Sequence, residues 1–263
     1  MNLDRLQAGR FTSGDVEIAW YEAGNPEGFP ILLIHGFAST AHVNWVFPGW
    51  FKTLDQAGFR VIALDNRGHG QSDKPHDPEA YHPEMMAADA AGLLDSLHIG
   101  SAHVMGYSMG ARISAFLALA RPDLVRSLVF GGLGLGMVDG VGDWDPIAAA
   151  LRADSLEDVS DERGRMFRTF AEQTKSDRLA LAACISTSRT LVSREDLAHL
   201  TMPVLVGVGT RDDIAGSAEG LGHLLLRARA VDIPNRDHML AVGDKVFKAA
   251  ALEFFNDVEA GSI

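Results

Sequence analysis

The chain is poor in cysteine, in positive charge and in long apolar runs, and each shortage closes off a class of protein. A single cysteine, Cys184, among 263 residues has no partner for an intrachain disulfide, so packing has to hold the core. Lys and Arg total 23 against 35 Asp and Glu, a formal net charge of −12, and such a field disfavours nucleic acid and anionic membrane surfaces as partners. The most apolar stretches, 113–120 and 128–138, stop well short of the about 18 residues that a membrane-crossing helix needs. No charged segment followed by an apolar one opens the chain, and the expected setting is cytoplasmic and reducing, with no membrane span. What is present is ordinary: 47% hydrophobic and 22% charged residues, in a chain long enough to bury one large core.

Short apolar runs rich in β-branched residues recur at 31–34, 61–64, 102–107, 127–130, 204–208 and 230–233, separated by helical patterns. Continuous hydrophobicity marks strands buried on both faces, and helices between them predict βαβ crossovers and a mostly parallel sheet. The segment Asp15–Val16–Glu17–Ile18–Ala19–Trp20–Tyr21 alternates instead and is followed by the turn signal Gly24–Asn25–Pro26, which predicts an antiparallel hairpin at the sheet edge. Between Gly131 and Pro203 about seventy residues pass without a convincing strand, too many for a simple connection. Apolar residues at helical spacing over 144–153, 161–173 and 177–186, and a helix start at Ser193, predict an inserted helical cap. The expected domains are a core of 1–132 with 201–263 and a cap of 133–200. The glycine-rich stretch 131–142 contains no G-x-G-x-x-G and reads as a flexible entry to that cap.

Gly106–Tyr107–Ser108–Met109–Gly110 is a G-x-S-x-G placed between an apolar strand and a helical run. Such a strand-to-helix turn holds its serine in a strained conformation that only small neighbours allow, hence the two glycines. At a helix N-terminus the Met109 N–H is free to stabilise a developing oxyanion. A second donor is expected after the strand at 31–34, where Gly36 lets the chain turn so that the Phe37 N–H faces the same point. His35 beside it reads as a satisfied histidine that organises this loop.

A serine hydroxyl is a weak nucleophile and needs an imidazole within reach and a carboxylate to fix its tautomer. His238 follows the last strand and precedes the helix from Asp244, at the same sheet edge as Ser108. His42, His76, His82, His98, His199 and His223 fall in helices or surface loops, and His69 lies in a turn-rich loop with no acid in the required order. The strand at 204–208 runs into Asp212 and Asp213, beyond its carboxyl end, where groups that act on ligands gather in open α/β sheets. Asp237, the sequence neighbour of His238, is a weaker candidate.

With these residues in view, the chain resembles the α/β-hydrolase family over essentially its whole length. The resemblance rests on His35–Gly36–Phe37, Asp65–Asn66–Arg67–Gly68–His69–Gly70–Gln71–Ser72, the turn around Ser108, Gly209 three residues before Asp212, and Asp237–His238. It implies a mostly parallel eight-stranded sheet flanked by helices. Asp212 rather than Asp213 stands where the family's acid stands, giving a Ser108, Asp212, His238 triad with Phe37 and Met109 as the oxyanion hole. Haloalkane dehalogenases and epoxide hydrolases of this fold use an aspartate where Ser108 stands, so the resemblance points away from them.

The expected activity is therefore a carboxylesterase acting on small to medium acyl esters through an acyl-serine, with no metal and no cofactor; Glu195 and His199, four apart, read as a charged helix face. Trp144, Met137, Met166, Phe167 and Phe170 either line an apolar acyl pocket or pack the cap, and the packing reading is preferred. The alternatives are a lactone hydrolase, a C–C bond hydrolase of diketone-like ring-cleavage products, and a slow-hydrolysing ligand receptor. The C–C reading calls for an arginine to hold a substrate carboxylate, for which Arg112 and Arg189 are the candidates. Partners are a small-molecule ester and, because sheet edges and caps both dimerise in such folds, a homodimer to be tested for.

Overall fold

A computed structural model describes residues 6–263. Eight strands, β1 (Gln7–Ser13), β2 (Val16–Gly24), β3 (Pro30–Ile34), β4 (Arg60–Leu64), β5 (Ala102–Tyr107), β6 (Val125–Gly131), β7 (Val204–Gly209) and β8 (Ala228–Ile233), form one sheet in the order β1-β2-β4-β3-β5-β6-β7-β8. β2 runs antiparallel to β1 and β4, and every other pairing is parallel. β5 and β7 are buried along their whole length, which is why they read as unbroken apolar runs. The edge strand β1 alternates exposed and half-buried residues.

The hairpin expected near the N-terminus is β1–β2, but its turn lies at Gly14, with φ +62°, rather than at 24–26. Gly24–Asn25–Pro26 instead releases the chain from β2 so that it can cross to β3 beyond β4. A turn signal on either flank of an alternating run satisfies the same pattern, and only the partner strand decides between them.

Ten helices follow the crossovers: α1 (Trp50–Gln56), α2 (Pro83–Ser96), α3 (Met109–Ala120), α4 (Gly136–Asp139), α5 (Asp145–Arg152), α6 (Glu162–Gln173), α7 (Arg178–Thr187), α8 (Arg194–Leu197), α9 (Ala218–Gly222) and α10 (Lys245–Glu259). The strands' alternation divides the core. Leu32, Ile34 and Val104 pack with α2 and α3 on one face, whereas Ile31, Leu33 and Met105 pack with α1 and α10 on the other.

Helices α4 to α8 all lie between β6 and β7. Their starts are chemically marked: Asp161, Asp177 and Ser193 each accept hydrogen bonds from backbone N–H groups in the first turn of α6, α7 and α8, each cap stabilising its helix by about 1 kcal/mol. Trp144, Ile147, Leu151, Ala171, Leu181 and Ile185 form a third apolar cluster, with Phe37 and Phe167 against it. The opposite side of α7, through Ala183 and Cys184, joins the α2–α3 core. This helical segment thus sits over the loop that leaves β3, at the carboxyl ends of the strands.

Candidate active site

Ser108 occupies the turn between β5 and α3 with φ +54° and ψ −114°, a conformation that side chains rarely adopt. Backbone crowding imposes the flanking glycines. A Cβ on Gly106 would lie 2.1 Å from the Gly110 carbonyl oxygen, and one on Gly110 would lie 2.0 Å from that of Ile34. The Ser108 N–H donates to the Gly131 carbonyl at 2.7 Å, which fixes the turn to β6.

Ser108, His238 and Asp212, from three separate loops, form one hydrogen-bonded chain. The Ser108 hydroxyl donates to His238 Nε2 at 3.0 Å, and His238 Nδ1–H donates to Asp212 Oδ2 at 2.7 Å. The other Asp212 oxygen accepts the Ile214 and Ala215 N–H groups, both at 2.9 Å, so both oxygens of the buried carboxylate are hydrogen-bonded. Asp213 is exposed and lies outside this chain of bonds, and Asp237 instead caps the turn through the Met239 and Leu240 N–H groups.

The loops after β7 and β8 are stitched together. Arg211 N–H donates to the Arg236 carbonyl at 2.9 Å, Asn235 N–H to Thr210 Oγ1 at 2.8 Å, and Gly209 is within 2.2 Å of the Arg236 carbonyl at the position of a Cβ. Tyr107 adds an anchor that the sequence does not reveal: its hydroxyl donates to the His238 carbonyl at 2.6 Å, and burial raises its pKa well above the ordinary phenol value.

Met109 is the first residue of α3, so its N–H has no acceptor one turn back. Across from it, the Gly36 N–H donates to Asn44 Oδ1 and the Ala38 N–H to His69 Nε2, and among the described residues the Phe37 N–H between them has no acceptor. The loop 65–72 backs this turn. Asp65 accepts from Ala41 N–H, Tyr21 hydroxyl and Gln71 N–H, Ser72 hydroxyl donates to the Asp65 carbonyl, and Arg67 makes a buried two-point pair with Asp89 at 2.7 Å. The Asp-x-Arg-Gly-x-Gly-x-Ser motif is thus a structural knot whose carboxylate is spent on two backbone N–H groups and the Tyr21 hydroxyl.

Ser108 opens onto a cavity of about 370 Å³ lined mainly by apolar side chains, among them Phe37, Phe47, Met166, Phe167, Phe170, Met239 and Leu240. Met166, Phe167 and Phe170 line the cavity, and Phe167 and Phe170 also pack against the third cluster, so for these two both readings hold. Trp144 belongs to the third cluster itself, and Met137 is buried in the α2–α3 core. Phe47, Met239 and Leu240 escape sequence reading because they stand on loops without periodicity. On the other side of Ser108 a recess of about 30 Å³ is bounded by Met109, Arg112, Trp144, Ser188 and Arg189. Arg112 is buried and donates to the Gly136, Met137 and Thr190 carbonyls, and among the described residues it has no carboxylate partner; burial and the neighbouring Arg189 lower its pKa to about 10.

A model of the family described as alpha/beta hydrolase fold matches residues 30–164. BpoC of Mycobacterium tuberculosis, which carries the name of a non-heme bromoperoxidase, is 28% identical over 261 residues, covering 90% of this chain and 97% of that protein. A 2-hydroxymuconate semialdehyde hydrolase of Pseudomonas sp. strain CF600 is 36% identical over 135 residues, 48% of this chain and 46% of that protein. Among solved structures, a hydrolase from Pseudomonas aeruginosa superposes with a TM-score of 0.80 at 25% identity, covering 95% of this chain and 98% of the other.

Proposed function

The chain belongs to the α/β-hydrolase fold family, and on that premise we propose that it is a serine hydrolase cleaving carboxylic esters of small to medium acyl chains. The observation that carries this reading is the hydrogen-bonded chain Ser108–His238–Asp212 opening on an apolar cavity. In this reading Ser108 Oγ attacks the ester carbonyl while His238 Nε2 takes its proton. Asp212 holds the Nδ1–H tautomer and stabilises the imidazolium. The Phe37 and Met109 N–H groups receive the oxyanion, and His238 returns its proton to the departing alkoxide. Water, activated by His238 in turn, then releases the acid. The acyl group fills the 370 Å³ cavity, which has the volume of about twelve water molecules at liquid density. Residues 133–200 act as a cap on a core made of 1–132 and 201–263, supplying Met166, Phe167 and Phe170 to the acyl wall.

The test is hydrolysis of p-nitrophenyl esters of increasing acyl length by wild type and Ser108→Ala, together with labelling by a serine-directed phosphonate. Turnover abolished by Ser108→Ala, with an optimum set by the cavity, is the expected outcome. Absence of both turnover and labelling in wild type would sink the reading, and labelling with turnover too slow to measure would favour a ligand receptor.

A second reading rests on the recess behind Ser108. Arg112 and Arg189 bound it, and one relative is named a 2-hydroxymuconate semialdehyde hydrolase. A substrate carboxylate seated there would make the enzyme a hydrolase of acidic lactones or ring-cleavage products, with the same serine. The discriminating result is an Arg189→Met variant whose KM rises about tenfold or more for carboxylate-bearing substrates and stays unchanged for neutral esters, since loss of one charged hydrogen bond costs about 1.5–3 kcal/mol.

A further inference from the structure

The loop that leaves β3 is held in an unusual shape. Ala38 has φ +55°, a left-handed conformation without a glycine's freedom, and it stands next to the residue assigned above as an oxyanion donor. Something outside the loop has to maintain this shape. The loop after β4 grips it at four points. Asn66 N–H donates to His35 Nε2 at 2.9 Å, Asn66 Nδ2–H to the His35 carbonyl at 3.0 Å, Ala41 N–H to Asp65 Oδ1 at 2.8 Å, and Ala38 N–H to His69 Nε2 at 3.1 Å.

Of these four, only the His69 bond acts on a peptide adjoining Phe37. Its ring also meets the Phe37 ring edge to face, with centroids 6.0 Å apart. The tautomer is determined by chemistry: Nδ1 faces the Arg67 carbonyl at 2.9 Å and must carry the proton, which leaves Nε2 as a lone-pair acceptor for Ala38. Burial, with the adjacent His35, lowers the His69 pKa to about 3, so this acceptor persists at neutral pH.

We infer that His69 is a positioning residue for the oxyanion donor: by accepting the Ala38 N–H and backing the Phe37 ring it aims the Phe37 N–H at the carbonyl attacked by Ser108. His35 completes the clamp from the other side. Its Nδ1–H donates at 2.8 Å to the Gly36 carbonyl, which belongs to the same planar peptide as the Phe37 N–H. Holding that carbonyl away from the site points the N–H the opposite way. Neither imidazole touches a substrate in this scheme, and both act through backbone. The inference rests on the serine-hydrolase reading for its chemistry, though its geometry does not.

Two substitutions separate the halves of His69. In His69→Asn the amide nitrogen occupies the place of Nδ1 and still donates to the Arg67 carbonyl, but nothing reaches Ala38. In His69→Gln the amide oxygen falls near Nε2 and still accepts from Ala38. The experiment measures kcat and KM for a p-nitrophenyl ester, affinity for a boronic acid that forms a tetrahedral adduct on the serine, and hydrogen exchange of the Ala38 amide. Wild type and Ser108→Ala are run alongside.

The expected result for His69→Asn is a fall in kcat of about 10- to 100-fold at nearly constant KM, less than the full loss of an oxyanion donor. Boronate affinity falls in step and the Ala38 amide exchanges faster, while His69→Gln restores most of each. Equal kcat in His69→Asn and wild type would overturn the inference, as would equal damage in both variants or an Ala38 amide that stays protected in His69→Asn. If Ser108→Ala retains the activity, the serine reading falls by itself, and the Ala38 exchange still decides whether His69 holds the loop.

Discussion

The two halves of the carboxyl edge of the sheet use the same residue types to opposite ends. After β3 and β4, His35, His69 and Asp65 are buried and have their polar atoms spent on backbone groups of these two loops and, for Asp65, on the Tyr21 hydroxyl as well. After β7 and β8, Asp212 is just as buried but gives one oxygen to a histidine, and His238 keeps 12% of its side chain exposed with Nε2 turned to Ser108. What separates the two building histidines from His238 is the partner of the second nitrogen. A backbone N–H closes it off in His35 and His69, whereas in His238 it faces a hydroxyl at the mouth of a cavity, as the proposed mechanism requires.

The largest expected effect falls on the reactive half. Asp212→Asn should keep the fold and lower kcat by about 10⁴-fold, the scale seen when the carboxylate of a serine triad becomes an amide and the wrong tautomer results. Asp213→Asn should stay within about twofold. Comparable losses in the two variants, measured as initial rates on one ester, would remove the contrast between the adjacent aspartates.

The ion pair that anchors the building half should fail by unfolding rather than by losing chemistry. Arg67 and Asp89 form a two-point ion pair with both side chains almost fully buried. Arg67→Ala leaves the Asp89 charge unpaired and should cost about 3–5 kcal/mol of stability, read as a fall in the urea midpoint. The fraction that remains folded should still react with a serine-directed phosphonate. If this variant were stable but inactive, the Arg67–Asp89 pair would serve the chemistry rather than the fold.

Acid should reveal the same division. Burial lowers the pKa of His35 to about 4 and those of His69 and His103 to about 3, from an ordinary value of 6.5. Between these limits the unfolded chain binds protons that the folded chain refuses, so stability is complete above about pH 6.5 and declines as the pH falls toward 4. Urea midpoints measured across that range should drop steadily, and His69→Gln should flatten the slope by about one proton. A midpoint independent of pH from 7 to 4 would mean that these imidazoles are not held neutral.

Much of this was legible in the sequence, for a physical reason. The turn around Ser108 is marked within five residues by glycines that steric crowding demands, and β3 to β7 announce themselves because most of their residues are buried on both faces, whereas the edge strand β8 is largely exposed. Position at strand ends then brings Asp212 and His238 to Ser108, as their places in the chain suggested. The illegible part is made by distance. Ala38 and His69 meet across 31 residues and Tyr107 and His238 across 131, with no local pattern to announce either bond. Cavity walls divide the same way. Helical spacing in α6 marks Met166, Phe167 and Phe170 as apolar without saying whether they face core or cavity, and loop residues such as Phe47 carry no spacing at all.

Tyr107→Phe gives the smallest loss predicted for a residue tied to His238, and the sharpest reading of the reactive half. His238 is held at two places: its ring by Asp212, and its backbone carbonyl by the Tyr107 hydroxyl at 2.6 Å. Tyr107 also precedes Ser108, so one side chain fixes the distance between the two reacting loops. Removing the hydroxyl costs about 1 kcal/mol, or about fivefold in kcat if the whole loss falls on the transition state. A loss in kcat with KM unchanged would make Tyr107 a strut between nucleophile and base. A silent variant would mean that the bonds of Arg211 and Asn235 between the β7 and β8 loops suffice, and that the reactive half is held by backbone as firmly as the other.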